Sequence, residues 1–164
     1  MTSRARQNER LARSAARLAA VQALYQMEVS GADLRQVRAE FEDHRLGLEV
    51  DEPGGPTYRD ADRQLFRDIL AGVIGGQTRI DQLTDQALAE KWPLGRIDST
   101  LRALFRAAGH EFLNRADIPP RVTIGEYVDV ARAFFPSGKE PGFVNAVLDH
   151  MARTTRPGEL APRA

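Results

Sequence analysis

The chain has 164 residues, with 23 Lys plus Arg balanced by 23 Asp plus Glu. A chain of that length forms one compact domain, or two small bundles sharing a core, and buries about 70% of its unfolded surface without help from disulfides or metals. With 42% hydrophobic and 28% charged residues and no cysteine, it excludes wholesale disorder, disulfides, thiolate metal sites and cysteine nucleophiles, while its neutral total points to neither nucleic acid nor membrane.

Residues 1–17 form a basic arm, with Arg4, Arg6, Arg10, Arg13 and Arg17 against the single acid Glu9. Arg6, Arg10, Arg13 and Arg17 are spaced four, three and four apart, so a helix there lines their guanidinium groups along one face. Such a row can follow a phosphate backbone and stack on unpaired bases, or it can be a solvated face that happens to be Arg-rich. The second reading has a simple source, since Lys91 and Lys139 are the only lysines and a GC-rich genome favours arginine. Into the same helix run Leu11, Ala15, Leu18, Val21, Tyr25 and Val29, read as its apolar stripe, with Gly31 at its end.

Asp33 is placed to cap a second helix carrying Leu34, Val37, Phe41 and Leu46. Residues 40–62 are acidic, and within them 50–59 (VDEPGGPTYR) reads as a surface loop. A third helix has Phe66, Ile69, Leu70 and Val73 as its buried edge. Gly75-Gly76 is expected to weaken or break it before Ile80, Leu83 and Leu88 resume the pattern, and Trp92-Pro93 closes the run. Ile97, Leu101, Leu104, Phe105, Ala108 and Phe112 give the cleanest stripe, ended by Pro119-Pro120. Thr123 with Glu126 reads as a capping box opening a helix with Ile124, Tyr127, Val128, Ala131, Phe134 and Phe135 inward. Pro136-Ser137-Gly138 is a turn, Pro141 suits the first position of a final helix, and Val144, Val147, Leu148 and Met151 are its core residues.

The expected fold is therefore all-α, with about seven helices. One helical domain spans 8–153, as an N-terminal bundle over about 8–80 and a C-terminal bundle over about 81–153, and 154–164 reads as a disordered tail. No apolar run approaches the ~18 residues of a membrane span, and the N-terminus lacks the apolar core of a signal peptide, so a soluble, cytoplasmic protein without a membrane partner is expected.

The inventory of reactive groups is thin, and a non-enzymatic protein without catalytic residues, metal or cofactor is expected. His110-Glu111 begins like a zinc-protease helix, but Asn114 stands where the second histidine is needed. Gly72, Gly75 and Gly76 sit inside helical periodicity with no preceding strand, so they read as helix-packing points rather than a phosphate loop. Near the last helix, Phe143 lies at the edge of the core stripe. It either extends the core or stacks a base beside the free N–H groups of the helix start, with Lys139 close by in sequence. Asn145 is a polar residue within that helix that can hold a loop carbonyl or a ligand.

The words AVQALYQMEVSG at 20–31, FRDILAGV at 66–73, LRALFRAAGHEFLNRADIPPRVTIGEYVDVARAF at 101–134 and FVNAVLDHMA at 143–152 resemble the transcription antitermination factor NusB family, in the family's order and over most of the chain. The resemblance implies a non-enzymatic, two-bundle RNA-binding adaptor. Such proteins recognise boxA-type single-stranded RNA in ribosomal RNA transcripts as a heterodimer with NusE, a small-subunit ribosomal protein. With other Nus factors on RNA polymerase they suppress premature termination. Carried over by position, the family's RNA contacts fall on Arg13, Arg17, Tyr25 and Phe143, with Lys139 in the neighbouring loop.

The chain departs from the family pattern in three places. Ser14, Ala15 and Ala16 separate Arg13 from Arg17 where the family often has consecutive arginines, with Arg4, Arg6 and Arg10 upstream as compensation. Gly142 stands where a lysine is common, and Ala146 replaces a frequent glycine. Two other readings compete. One is a purely protein-binding helical module whose RNA surface has decayed. The other is a NusB-like domain serving an RNA methyltransferase in trans, since such domains also precede certain ribosomal RNA cytosine methyltransferases, which need a nucleophilic cysteine this chain lacks.

Overall fold

The computed structural model describes residues 2–46, 61–88 and 93–162, and among them all regular structure is helical. The predicted 50–59 loop, most of the acidic stretch, Lys91 and Trp92 lie outside the described residues. The elements are α1 (Ser3–Ser30), α2 (Leu34–His44), α3 (Arg63–Ala87), a 3-10 turn (Leu94–Arg96), α4 (Ser99–Asn114), α5 (Pro120–Phe134) and α6 (Glu140–Thr155). The chain divides into two compact units, Met1–Ala71 and Gly72–Ala164, with the boundary inside α3. No described helix is long and apolar enough to cross a membrane.

In the first unit the basic arm is itself helical. Thr2 Oγ1 accepts from the Ala5 N–H at 3.1 Å, and α1 then runs unbroken to Gly31, whose φ of 73° ends it in the left-handed region that glycine tolerates. α1 buries only part of the predicted stripe, Val21 within it. Leu11, Tyr25 and Val29 are 55%, 40% and 61% exposed, whereas Ala16, Ala19, Ala20, Val21, Ala23 and Leu24 form the core side. Four alanines among those six residues let neighbouring backbone approach closely, and close packing outweighs the larger side chains of the competing stripe.

Asp33 does cap α2, in a full box: its Oδ1 accepts from the Gln36 N–H at 2.9 Å, and Gln36 Oε1 accepts from the Asp33 N–H at 3.3 Å. Phe41 stacks on Phe66 with ring centroids 5.7 Å apart, joining α2 to the start of α3. Asp62 Oδ1 caps α3 by accepting from the Leu65 N–H at 3.0 Å. Arg67 donates to Glu42 through Nε and, at 3.1 Å, through Nη2.

That hydrogen bond holds the Glu42 carboxyl below its usual range, against the opposing effect of burial. A carboxyl depressed in the folded state contributes stability that is present above its unfolded pKa and lost as pH falls through the folded one. Arg67→Ala should therefore shrink the drop in Tm on acidification below about pH 4.3, and identical melting profiles for the two proteins would show the pair to be inert.

The second unit is built from the C-terminal part of α3, the 3-10 turn and α4, α5 and α6, with the last three packed on one another. Gly75-Gly76 does not interrupt α3. A cost of about 1 kcal/mol per helical glycine is too small to break a helix anchored by Val73, Ile80 and Leu83, all buried. The third glycine behaves as predicted: a Cβ on Gly72 would overlap the His110 ring, so the close approach of α3 to α4 requires glycine there. The predicted core residues of α4, from Ile97 to Phe112, and of α6 are buried.

Two predictions at element ends need correction. α5 begins at Pro120, in the first turn that proline suits, so Thr123 lies inside the helix, buried, and forms no capping box. The segment after Arg153 is not a free tail at its start. α6 continues to Thr155, and Arg156, nearly buried, donates to the carbonyls of Arg115 at 3.2 Å, Ile118 at 3.0 Å and Ala116 at 3.2 Å.

Candidate nucleic-acid interface

Each unit carries its own group of candidate contact residues. In the first, α1 presents Arg6 and Arg10 exposed and Arg13 half-buried, and helical geometry puts the three on one side of the helix. No hydrogen bond or ion pair within the described residues engages their guanidinium groups, which leaves their donors for an outside anion.

Arg17 does not belong to that row. It is 1% exposed and engaged within the protein, so the predicted row of four ends one turn earlier. The reason is geometric: the small side chains of Ala16, Ala19 and Ala20 bring the core up to this turn of α1, and a residue at position 17 falls on the buried side. Tyr25 is 40% exposed, on the outer side of the same helix, contrary to its predicted place on a buried stripe.

The second unit carries Lys139, Phe143 and Asn145 at the start of α6. Lys139 and Asn145 are exposed and Phe143 is half-buried. Lys139 is the N-cap residue without a side-chain cap, and Pro141 falls in the first turn. The Phe143 ring meets the buried Phe105 edge-on, with centroids 6.1 Å apart at 73°. One part of the Phe143 ring therefore extends the core of α4, while the ring as a whole is only half-buried. Gly142 is exposed, with open space where a side chain would stand.

Beside Phe143 lies a cavity of about 380 Å³ walled by Arg96, Ile97, Asp98, Leu101, Lys139, Glu140 and Phe143. Arg102 ties down the segment that supplies Arg96 and Ile97, with Nη1 donating to the carbonyls of Leu94 at 2.8 Å and Ile97 at 3.1 Å. Asp98 caps α4 through Oδ1, which accepts from the Thr100 N–H at 2.8 Å. No sequence pattern points to this cavity, because Arg96 and Asp98, just ahead of α4, meet Lys139 and Glu140 only when α4 packs on α6.

Elsewhere, the His110-Glu111 pair serves the core. Asn114 Nδ2 sits 3.0 Å from His110 Nδ1, and the Tyr127 hydroxyl donates to Glu111, with both acid and ring buried. No cluster of three or more potential metal ligands occurs among the described residues.

The NusB family's sequence profile matches residues 14–153. Among related proteins, transcription antitermination protein NusB of Nitrobacter hamburgensis is 55% identical over 149 residues, 91% of this chain and 91% of that protein. The protein of the same name from Agrobacterium fabrum is 55% identical over 144 residues, 88% and 85% of the two chains. Among solved structures, T. maritima NusB superposes with a TM-score of 0.70 at 30% identity, covering 89% of this chain and 94% of that one. With the profile matched over most of its length and an all-helical fold shared with a solved member, the chain belongs to the NusB family, whose relatives are named for transcription antitermination.

Proposed function

We propose that the protein is an antitermination factor that binds boxA-type single-stranded RNA in ribosomal RNA transcripts jointly with NusE, and through other Nus factors acts on RNA polymerase. The observation that carries this reading is the row of arginines on α1, Arg6 and Arg10 exposed and Arg13 half-buried, in a chain whose relatives are antitermination proteins. The row captures the RNA backbone, Tyr25 lies further along the same helix, and Lys139, Phe143 and Asn145 supply a cation, an aromatic surface and an amide from the second unit.

With about three to five phosphate contacts, log affinity should fall against log salt with a slope of roughly −2 to −3.5 for a single strand. Between 50 and 200 mM salt that is about a 20- to 100-fold loss. Fluorescence anisotropy with a boxA strand and a scrambled strand, with and without NusE, tests both parts of the reading. Tighter binding to boxA, strengthened by NusE and weakened by salt, is the expected result. The burial of Arg17 and the glycine at 142 favour a second reading, a purely protein-binding module. A salt-insensitive affinity without sequence preference would select it.

A further inference from the structure

The basic row leaves the core of the first unit at one turn of α1. From Ser3 to Leu11 every residue except Ala5 is exposed, whereas Ala16 and Arg17 are buried. Between them, the Asp62 N–H donates to the Ala12 carbonyl at 3.0 Å. Asp62 is the residue that caps α3 through Oδ1, and its carbonyl accepts from the N–H of Phe66, whose ring stacks on Phe41. The destination of its own N–H is particular to this helix. In α2 the N–H of the capping Asp33 goes to Gln36, three residues on, but the corresponding residue of α3 is Leu65, whose side chain has no acceptor. The Asp62 N–H goes instead to a carbonyl well inside α1, one that also serves the ladder of that helix. A second donor on a helix carbonyl tilts it outward and sets the local bend. Close by, Ser14 Oγ donates to the Arg10 carbonyl at 3.1 Å, another bond of the kind that bends a helix.

We propose that Asp62 is a positioning residue for RNA binding: its N–H, held in place by the cap of α3, fixes the direction in which the first turns of α1 leave the core, and so where Arg6 and Arg10 stand relative to Arg13. The lever is long enough to matter. Arg6 lies about 9 Å from Ala12 along the helix axis, so a swing of about 20° carries it about 3 Å, which separates a charge-assisted contact to phosphate from none. Asp62 acts through the arginines and not on the RNA itself. The inference rests on the RNA-binding reading above, while its geometric half, an arm held in one direction, is measurable without RNA.

Two variants of the full chain separate the N–H from the cap. Asp62→Ala and Asp62→Pro both lose the carboxylate that caps α3, and only the proline also loses the N–H. In fluorescence anisotropy with a boxA strand and NusE present, at about 0.1 M salt, Asp62→Ala should stay within about threefold of the unmodified chain. Asp62→Pro should lose about 5- to 25-fold and flatten the salt slope by about 0.7 to 1.4, the worth of one to two phosphate contacts. Added to Arg6→Ala with Arg10→Ala, it should cost less than about twofold more, since the residues it aims are gone. Equal losses for the two Asp62 variants, or a loss that persists without Arg6 and Arg10, would overturn the proposal by making Asp62 a structural cap only. A second measurement needs no Asp62 variant to fold. The chain has no cysteine, so Gln7→Cys with Ala39→Cys, both exposed positions of the first unit, accepts two spin labels. Their distance distribution without RNA should be narrow, and a broad one would overturn the proposal outright. A narrow distribution in a chain that fails to bind the boxA strand would sink the RNA reading instead, and with it the part of Asp62 in binding.

Discussion

Arg156→Ala should lower stability by about 3 kcal/mol, because it removes a buried guanidinium and the donors it gives to the carbonyls of Ala116 and Ile118, leaving the Arg115 carbonyl with the Ile118 N–H alone. Those carbonyls lie in the connection between α4 and α5, outside the helical ladders, where a turn bond from the Ile118 N–H at 3.1 Å reaches the Arg115 carbonyl. Arg156 also pairs with Glu159, whose carboxylate it holds below the usual range through a hydrogen bond, but that acid is exposed and returns to water in the variant, so it adds little to the loss. In a chain of this size the loss corresponds to a fall in Tm of roughly 6 to 12 °C, read by circular dichroism or calorimetry. Arg156→Lys should recover little, since one ammonium cannot span three carbonyls and a carboxylate in the way a planar guanidinium does. A Tm change under about 2 °C for Arg156→Ala would mean that the connection is satisfied by other means.

The largest functional effect belongs to the arginine row. Replacing Arg6, Arg10 and Arg13 together with alanine should remove three phosphate contacts and flatten the salt slope by about 2. At 0.1 M salt that amounts to roughly a 100-fold loss of RNA affinity. Helicity should be unchanged, because alanine is the better helix former and Arg6 and Arg10 are exposed. NusE capture should survive as well, which separates loss of an RNA surface from loss of the fold. Arg17 is left out of this set on purpose. It is buried and engaged within the protein, and its truncation would report on stability instead of on RNA. An affinity loss below about threefold for the triple variant would remove α1 from the RNA interface.

The contrast between Arg13 and Arg17 also shows where sequence reading stops. Spacing alone makes them equivalent, four residues apart on one helix face. The structure separates them because the core reaches one turn of α1 and not the turn before it. A similar displacement affects the apolar stripe of α1. Leu11, Tyr25 and Val29 carry the stronger hydrophobic pattern, yet the alanine-rich side is buried, because a helix packed closely through small residues gains contacts that bulk on the opposite side cannot offer.

The sequence by itself determined the helical class, the C-terminal end of α1 and the start of α2, the inward faces of α4 and α6, and membership of the NusB family. Each of these follows from local rules: 3.6-residue periodicity, capping by Asp33, the left-handed Gly31, and short words in a fixed order. Only the tertiary structure decided which arginines face solvent, that α3 runs through Gly75-Gly76, that Arg156 ties down the α4–α5 connection, and that Arg96, Asp98, Lys139, Glu140 and Phe143 share one cavity. These depend on residues about 40 positions apart meeting in space, and no pattern read along a single helix encodes such a meeting.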